Sequence, residues 1–248
     1  MRSTSTQSWR AYWAESRSHR YSLLFALPLL LLYELLEAVA PVHMGGGVVR
    51  NGADVLLTGL FTTLLGPRGP LVFMALVIGG ALVLVWRDRR GAVPLRARVF
   101  VAMLLEALVL ALAFGFIVGV ATMQLVGPLR SLAAGGAALD GPLLGRLTLS
   151  LGAGLYEELL FRVVIVALIS NGLRLIGVSR LVAGIFAVIV GALLFSAFHY
   201  IGPFGEPLRL ESFVFRALAG VAFSALYLTR GFGITAWTHA LYDVAVLM

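Results

Sequence analysis

The chain contains no cysteine and no lysine, and all nineteen of its basic residues are arginine. The lack of cysteine excludes cysteine nucleophiles, disulfides and thiolate metal sites, and the lack of lysine excludes Ser-Lys dyads and Schiff-base chemistry. Charged residues make up only 12% of the 248 residues, whereas an average globular domain has about 25%. Because 60% of the residues are hydrophobic, the composition predicts an integral membrane protein.

The net charge of +7 would favour nucleic-acid binding in a soluble protein. In this chain, however, most arginines lie in short loops between apolar stretches, where they serve to orient the chain in a bilayer. We therefore expect no nucleic-acid partner, and we expect the lipid bilayer to be the surroundings of most of the chain.

The apolar stretches predict an all-α, polytopic membrane helix bundle of about seven to eight spans, since one span needs about 20 apolar residues. The stretch 53–65 is too short, and Gly66-Pro67-Arg68-Gly69-Pro70 interrupts it. We predict a re-entrant or interfacial segment there, with an eighth span as the alternative. The seven predicted spans are 21–40, 70–86, 99–126, 146–170, 181–201, 212–229 and 232–248.

Residues 1–20 are polar and carry Trp9, Tyr12 and Trp13 at helical spacing. This pattern predicts a cytoplasmic interfacial segment that precedes a single transmembrane domain, residues 21–248. The following apolar run is too long for a signal peptide, and no small-residue cleavage site follows it.

The loop arginines predict the orientation of the seven-span bundle, because positive residues accumulate on the cytoplasmic side. Twelve fall on the side of the amino terminus and five on the other. We expect a multi-pass protein of a bacterial inner membrane with a cytoplasmic amino terminus. The twelve are Arg2, Arg10, Arg17, Arg20, Arg87, Arg89, Arg90, Arg96, Arg98, Arg174, Arg180 and Arg230, and the five are Arg50, Arg68, Arg130, Arg146 and Arg209.

Charged side chains inside the span 146–170 are the strongest functional signal, because such groups are costly in hydrocarbon. Glu158 and Arg162 are at i and i+4, so they share a helix face and can pair. Glu157 lies about 100° around the helix axis from Glu158, so it needs a partner on another helix. The alternative is a structural ion triad that joins two helices.

Two histidines follow at intervals of about forty residues, which places them on other helices of the bundle. His199 lies one turn after Phe195, and His239 lies one turn before Asp243, which can fix its tautomer or favour its charged form. Each could instead be a satisfied structural residue. Together, the carboxylates and imidazoles can activate a water molecule and stabilise an oxyanion.

Other intramembrane protease classes lack their motifs in this chain. It has no His-Glu-x-x-His zinc motif and no Gly-x-Ser-Gly serine motif. Tyr242-Asp243 resembles half of an aspartyl site, but no Gly-x-Gly-Asp accompanies it.

The ordered set Glu157-Glu158-x-x-x-Arg162, Phe195-x-x-x-His199 and His239-x-x-x-Asp243 resembles the three motifs of the CPBP (CAAX-processing and bacteriocin-processing, or Abi) glutamic intramembrane proteases. The resemblance covers about residues 146–248. It implies that Glu157 and His199 activate the hydrolytic water and that His239 and Asp243 line the oxyanion side. It also implies that Glu158, Arg162 and Phe195 support the site, without a metal or other cofactor.

Asp243 departs from the prenyl-protein proteases of that family, which usually carry Asn at this position. An ionised Asp cannot donate a hydrogen bond to an oxyanion. We therefore expect Asp243 to orient His239 and His239 to be the donor.

Further polar residues lie in the amino-terminal half, and we interpret them as structural. Glu34 and Glu37 share a helix face and could pair with Arg216 or with other helices, as could Glu106. The segment Arg50-Asn51-Gly52-Ala53-Asp54 could cap the short helix that follows it.

The sequence thus predicts an endopeptidase that cleaves a membrane-anchored protein or peptide. CAAX-type prenylated proteins, bacteriocin leaders and carboxy-terminal sorting tails are the substrate classes that the resemblance implies. One rival is a zinc metallopeptidase that uses Glu157, His199 and His239. The other is a non-enzymatic transporter or scaffold with buried charges, although the chain has no inverted repeat.

Overall fold

The fold is almost entirely helical, as the apolar stretches predicted: 87% of the structure is helix. The computed structural model describes residues 3–44, 47–88, 94–126, 143–202 and 205–247. Arg2, Arg89, Arg90 and Arg130, which entered the orientation argument, lie outside these residues.

The described residues contain ten α-helices, one short strand pair, one 3₁₀ turn and two π-helical stretches. The π-helical stretches join α6 to α7 without a break, and we call residues 143–175 the glutamate helix. The elements are α1 (Ser3–Ser16), α2 (His19–Val39), β1 (Val42–Met44), β2 (Gly47–Val49), α3 (Gly52–Leu65), a 3₁₀ turn (Gly66–Arg68), α4 (Gly69–Asp88), α5 (Ala97–Val126), α6 (Leu143–Gly152), the π-helical Ala153–Glu157 and Leu159–Val166, α7 (Ala167–Leu175), α8 (Arg180–Phe198), α9 (Leu210–Arg230) and α10 (Phe232–Leu247).

Five stretches of the described residues are long and apolar enough to cross a membrane. The protein is therefore an integral membrane protein. All seven predicted spans coincide with helices, but the glutamate helix and the 16-residue α10 are not among the five. The five stretches are His19–Val39, Gly52–Asp88, Ala97–Val126, Arg180–Phe198 and Leu210–Arg230.

The chain turns sharply between α3 and α4, at the glycines and proline that the sequence singled out. Gly66 has a φ of 66°, in the left-handed region that glycine adopts at little cost. Gly69 then packs so closely on α3 that a Cβ there would lie 2.3 Å from the backbone of Phe61. The short helix α3 thus folds against the start of α4.

Polar contacts join α1 and the start of α2 to residues that lie far away in the chain. Ser16 accepts a hydrogen bond from Arg230 at 2.8 Å, and Arg96 forms an ion pair with Glu15. The backbone amide of Arg20 donates to Asp88 at 2.9 Å. Chain segments that carry arginines of the predicted cytoplasmic side therefore meet at one end of the bundle.

Glu34 and Glu106, two acidic residues of the amino-terminal half, have partners other than Arg216. Glu34 pairs with Arg50 at 3.1 Å, and Glu106 pairs with Arg230 at 2.6 Å. Arg216 instead pairs with Glu206 at 2.6 Å. The suggested pairing of Arg216 with the first span is wrong, because the loop that follows α8 supplies the carboxylate.

Candidate active site

Glu157 and the two histidines, predicted to lie on different helices, converge in the structure. Oε2 of Glu157 lies 3.9 Å from Nε2 of His199 and 4.0 Å from Nε2 of His239. Glu157 is only 7% exposed. One buried carboxylate oxygen therefore faces two imidazole nitrogens.

The glutamate helix can reach α10 because a glycine lies at the crossing. A Cβ on Gly154 would lie 2.5 Å from the carbonyl oxygen of Ala236 and 2.6 Å from Cβ of Ala240. Small residues allow membrane helices to approach closely. The π-helical turns on both sides of Glu158 are also a feature that is frequent at functional sites.

His199 caps the carboxyl end of α8, and the backbone of that helix fixes its ring. Nδ1 lies 2.9 Å from the carbonyl oxygen of Phe195, which can only accept a hydrogen bond. Nδ1 must therefore carry the proton, and Nε2 is the nitrogen that faces Glu157. This explains the four-residue spacing between Phe195 and His199.

His239 is held by Glu158 through its other ring nitrogen. Nδ1 lies 2.8 Å from Oε1 of Glu158, and the ring stacks on Phe223 with centroids 4.4 Å apart. Oδ2 of Asp243 lies 3.6 Å from Nε2, beyond hydrogen-bond distance. We expected Asp243 to orient this ring, but Glu158 makes that hydrogen bond, because the glutamate helix crosses α10 beside His239.

Arg162 forms the predicted ion pair with Glu158, at 3.0 Å. Its side chain is 1% exposed. The guanidinium carbon lies 4.6 Å from the ring centroid of Phe195 and 5.4 Å from that of Phe223. Nη2 also donates to the carbonyl oxygen of Gly220 at 3.4 Å. Arg162 therefore links the glutamate helix to α8 and α9 and supplies the permanent positive charge next to Glu158.

Asn51 also reaches the site, although the sequence marked it only as part of a cap. It does cap α3, since its side chain accepts from the amide of Ala53. Its Nδ2 in addition donates to Oε1 of Glu157 at 3.0 Å. No local sequence pattern predicts this contact, because the two residues are 106 positions apart.

The zinc alternative requires at least three ligands of the His, Cys, Asp or Glu type around one point. Within the part of the chain that the structure describes, no group of three or more His, Cys, Asp and Glu residues is placed to hold a metal ion. Oε2 of Glu157 lies 3.9 and 4.0 Å from the two imidazole nitrogens, a separation that one water could bridge with hydrogen bonds of about 2.8 Å that meet near a right angle.

The part of the chain that contains the three motifs matches a known family model. Residues 140–245 match the family model of type II CAAX prenyl endopeptidase Rce1-like. The match includes the glutamate helix and α8 to α10, so it contains all three motifs. It confirms the resemblance to the CPBP family. Comparisons with curated proteins and with solved structures gave no match.

The Rce1-like family implies a CAAX-type intramembrane endopeptidase, which is a peptide hydrolase. The described helices agree with such an enzyme, because they form a membrane protein with buried polar groups at the converging motifs. Asn51 lies outside the matched residues, so the amino-terminal half adds a group to the Rce1-like region.

Proposed function

We propose that the protein is a glutamic intramembrane endopeptidase in which Glu157 is the general base. The observation that carries the proposal is the position of Oε2 of Glu157, 3.9 and 4.0 Å from the two histidine nitrogens. A water bound to this oxygen and to one imidazole would make two hydrogen bonds of about 2.8 Å that meet near a right angle. Such a water is held where a base can take its proton.

In the proposed reaction, Glu157, assisted by His199, takes a proton from the water as its oxygen attacks the scissile carbonyl carbon. The carbonyl oxygen becomes an oxyanion, to which Nε2 of His239 donates a hydrogen bond. Because Nδ1 donates to Glu158, the ring must carry both protons to do this. The proton held by Glu157 then passes to the departing amine nitrogen as the C–N bond breaks.

The proposed substrate is a membrane-anchored protein or peptide. A substrate helix must break backbone hydrogen bonds before its carbonyl can be attacked, so we expect helix-breaking residues near the cleaved bond. The proposed reaction is compatible with each of the three substrate classes implied by the family resemblance, because it acts on the peptide bond itself.

We further propose seven crossing helices, with α3 as a re-entrant arm and the amino terminus in the cytoplasm of a bacterial cell. The 14 residues of α3 extend about 21 Å, whereas the hydrocarbon layer is about 30 Å thick. The contact of α1 with the end of α9, and of the start of α2 with the end of α4, supports this topology. It places His199 toward the external end of α8, which favours exported substrates.

The test is the replacement Glu157→Gln, which removes the base but keeps the volume. Because general-base catalysis contributes about 10²–10⁴-fold, we expect turnover to fall below a few per cent while insertion and melting stay unchanged. Proteomics of membrane and secreted fractions from cells with the parent and with Glu157→Ala would reveal the substrate as a protein whose tail remains uncleaved.

Glu37→Gln is the matched control, since Glu37 is also a buried glutamate but lies on α2, outside the site. We expect this control to cleave like the parent. Substantial cleavage by Glu157→Gln would show that Glu157 is not the base. Equal loss in both variants would show that the effect is not specific to the site.

A further inference from the structure

The amide of Asn51 contacts the carboxylate that we propose as the base. Nδ2 of Asn51 donates to Oε1 of Glu157 at 3.0 Å, and Asn51 is 7% exposed. The other oxygen, Oε2, faces the two histidines and makes no hydrogen bond to the described residues. The hydrogen bond from Asn51 therefore determines which carboxylate oxygen is available to the water.

The side chain of Asn51 is itself fixed at both of its polar atoms. Its Oδ1 accepts from the backbone amide of Ala53 at 2.9 Å, as the amino-terminal cap of α3. With the oxygen engaged there, the NH₂ group must point to Glu157. An amide held in this way loses little rotational freedom when it binds the carboxylate.

A chain of hydrogen bonds joins the start of α3 to α2. The backbone amide of Asn51 donates to the hydroxyl of Tyr33 at 3.4 Å, and that hydroxyl donates to Asp54 at 2.8 Å. Gly152, five residues before Glu157, leaves room for both contacts. A Cβ on Gly152 would lie 2.5 Å from the ring of Tyr33 and 2.9 Å from Cβ of Asn51.

The chain continues through Arg50 back to the glutamate helix. Arg50 contacts Asp54 at 2.6 Å and Glu34 at 3.1 Å, and Glu34 accepts a hydrogen bond from Tyr156 at 2.6 Å. Burial opposes the charge on Arg50, but the neighbouring carboxylates and Tyr33 outweigh it and raise the pKa of Arg50. Tyr156 directly precedes Glu157. The peptide bond between these two residues therefore closes the series of hydrogen bonds into a ring that includes the site.

We propose that Asn51 is a positioning residue that holds Glu157 with one oxygen directed at His199 and His239. The proposal rests on the proposed function, because it assigns Asn51 to the same reaction. A carboxylate free to rotate would hold the water in several geometries, and a misplacement of about 1 Å can cost about 10²-fold in rate.

Two substitutions separate positioning from capping. Asn51→Ser and Asn51→Thr both keep a helix cap and add no charge, but neither side chain carries the amide NH₂ that donates to Glu157. The matched control is Ser179→Ala, because Ser179 caps α8 through the amide of Val182 and lies away from the site. This control removes a cap without touching Glu157.

We expect both Asn51 variants to insert like the parent and to melt only slightly lower, with kcat lowered about 10- to 100-fold and KM nearly unchanged. The pH–activity profile should also differ from that of the parent, because the surroundings of the base have changed. Ser179→Ala should keep the parent's kcat and pH profile. Parent-like kcat in both Asn51 variants, or a loss of kcat in the control that equals theirs, would overturn the proposal.

A thermal double-mutant cycle tests the contact without any assay of cleavage. Asn51→Ser should lower the melting temperature less in the Glu157→Ala background than in the parent, since the acceptor is already absent there. Equal shifts in the two backgrounds would show that the contact has no energetic role and would overturn the proposal. If Glu157→Gln retains activity, the proposed function fails, while this cycle still reports on the contact.

Discussion

Glu158 holds His239: Oε1 of Glu158 lies 2.8 Å from Nδ1 of the imidazole and also 3.0 Å from Nη1 of Arg162. One carboxylate oxygen thus joins the permanent cation of the site to a histidine on another helix. Because Glu158 and Arg162 are fully buried, water does not compete for these contacts. The two adjacent glutamates therefore have different roles. Glu157 faces the Nε2 atoms of both histidines, and Glu158 binds the Nδ1 atom of His239.

Arg162→Ala should lower the amount of folded protein as well as its activity. Removing the permanent cation leaves the buried Glu158 with His239 as its remaining partner, and breaking a buried ion pair in this way typically costs about 3–5 kcal/mol. Thermal melting of the detergent-purified protein measures this loss. The double variant Glu158→Gln with Arg162→Ala should recover part of the stability, because it removes the unpaired charge. Normal melting of Arg162→Ala would contradict the energetic role that we assign to the pair.

Asp243→Asn should keep substantial activity and change the pH–activity profile. Glu158 still holds the ring through Nδ1, and Asn keeps a polar group near Nε2, which Asp243 faces at 3.6 Å. Asp243→Leu should be far less active, since an apolar side chain replaces that polar neighbour. Turnover measured against pH for both variants distinguishes the cases. Equal and severe losses would mean that the negative charge itself is required.

Cleavage should continue in the presence of a zinc chelator, because the proposed base acts without a metal. Activity measured with and without 1,10-phenanthroline, together with elemental analysis of the purified protein, tests this. Loss of activity that added zinc restores would instead favour the metallopeptidase that uses Glu157, His199 and His239.

Gly154→Ala should impair activity by separating the glutamate helix from α10. The added Cβ would meet the backbone of Ala236 at 2.5 Å, so the helices must move apart and Glu157 must leave His239. Gly172→Ala is the matched control on the same helix, since among the described residues no atom beyond its own stretch of helix lies within 4 Å of a Cβ at that position. The control should retain activity and gain up to about 1 kcal/mol of stability from the better helix former. Equal activities of the two variants would contradict the close-packing argument.

Local periodicity was sufficient to predict most of the helices and one part of the site. Apolar length predicted helices at all seven candidate spans, because a segment in lipid must satisfy its own backbone hydrogen bonds. The Glu158–Arg162 pair followed from helix geometry, since residues four apart lie on one face. The turn at Gly66 and the cap at Asn51 were likewise visible in the residues themselves.

Only the tertiary structure determined which of these groups meet. His239 contacts Glu158 across 81 positions, and Asn51 contacts Glu157 across 106. Such contacts depend on where helices cross, and the crossings depend on close approaches such as Gly154 on Ala236 and Gly152 on Tyr33. Helix periodicity says which face a side chain occupies, but it does not say which other helix that face meets. For this reason the sequence by itself identified the groups that could do the chemistry, whereas the packing of the helices decided that Glu158 holds His239 and that Asn51 holds Glu157.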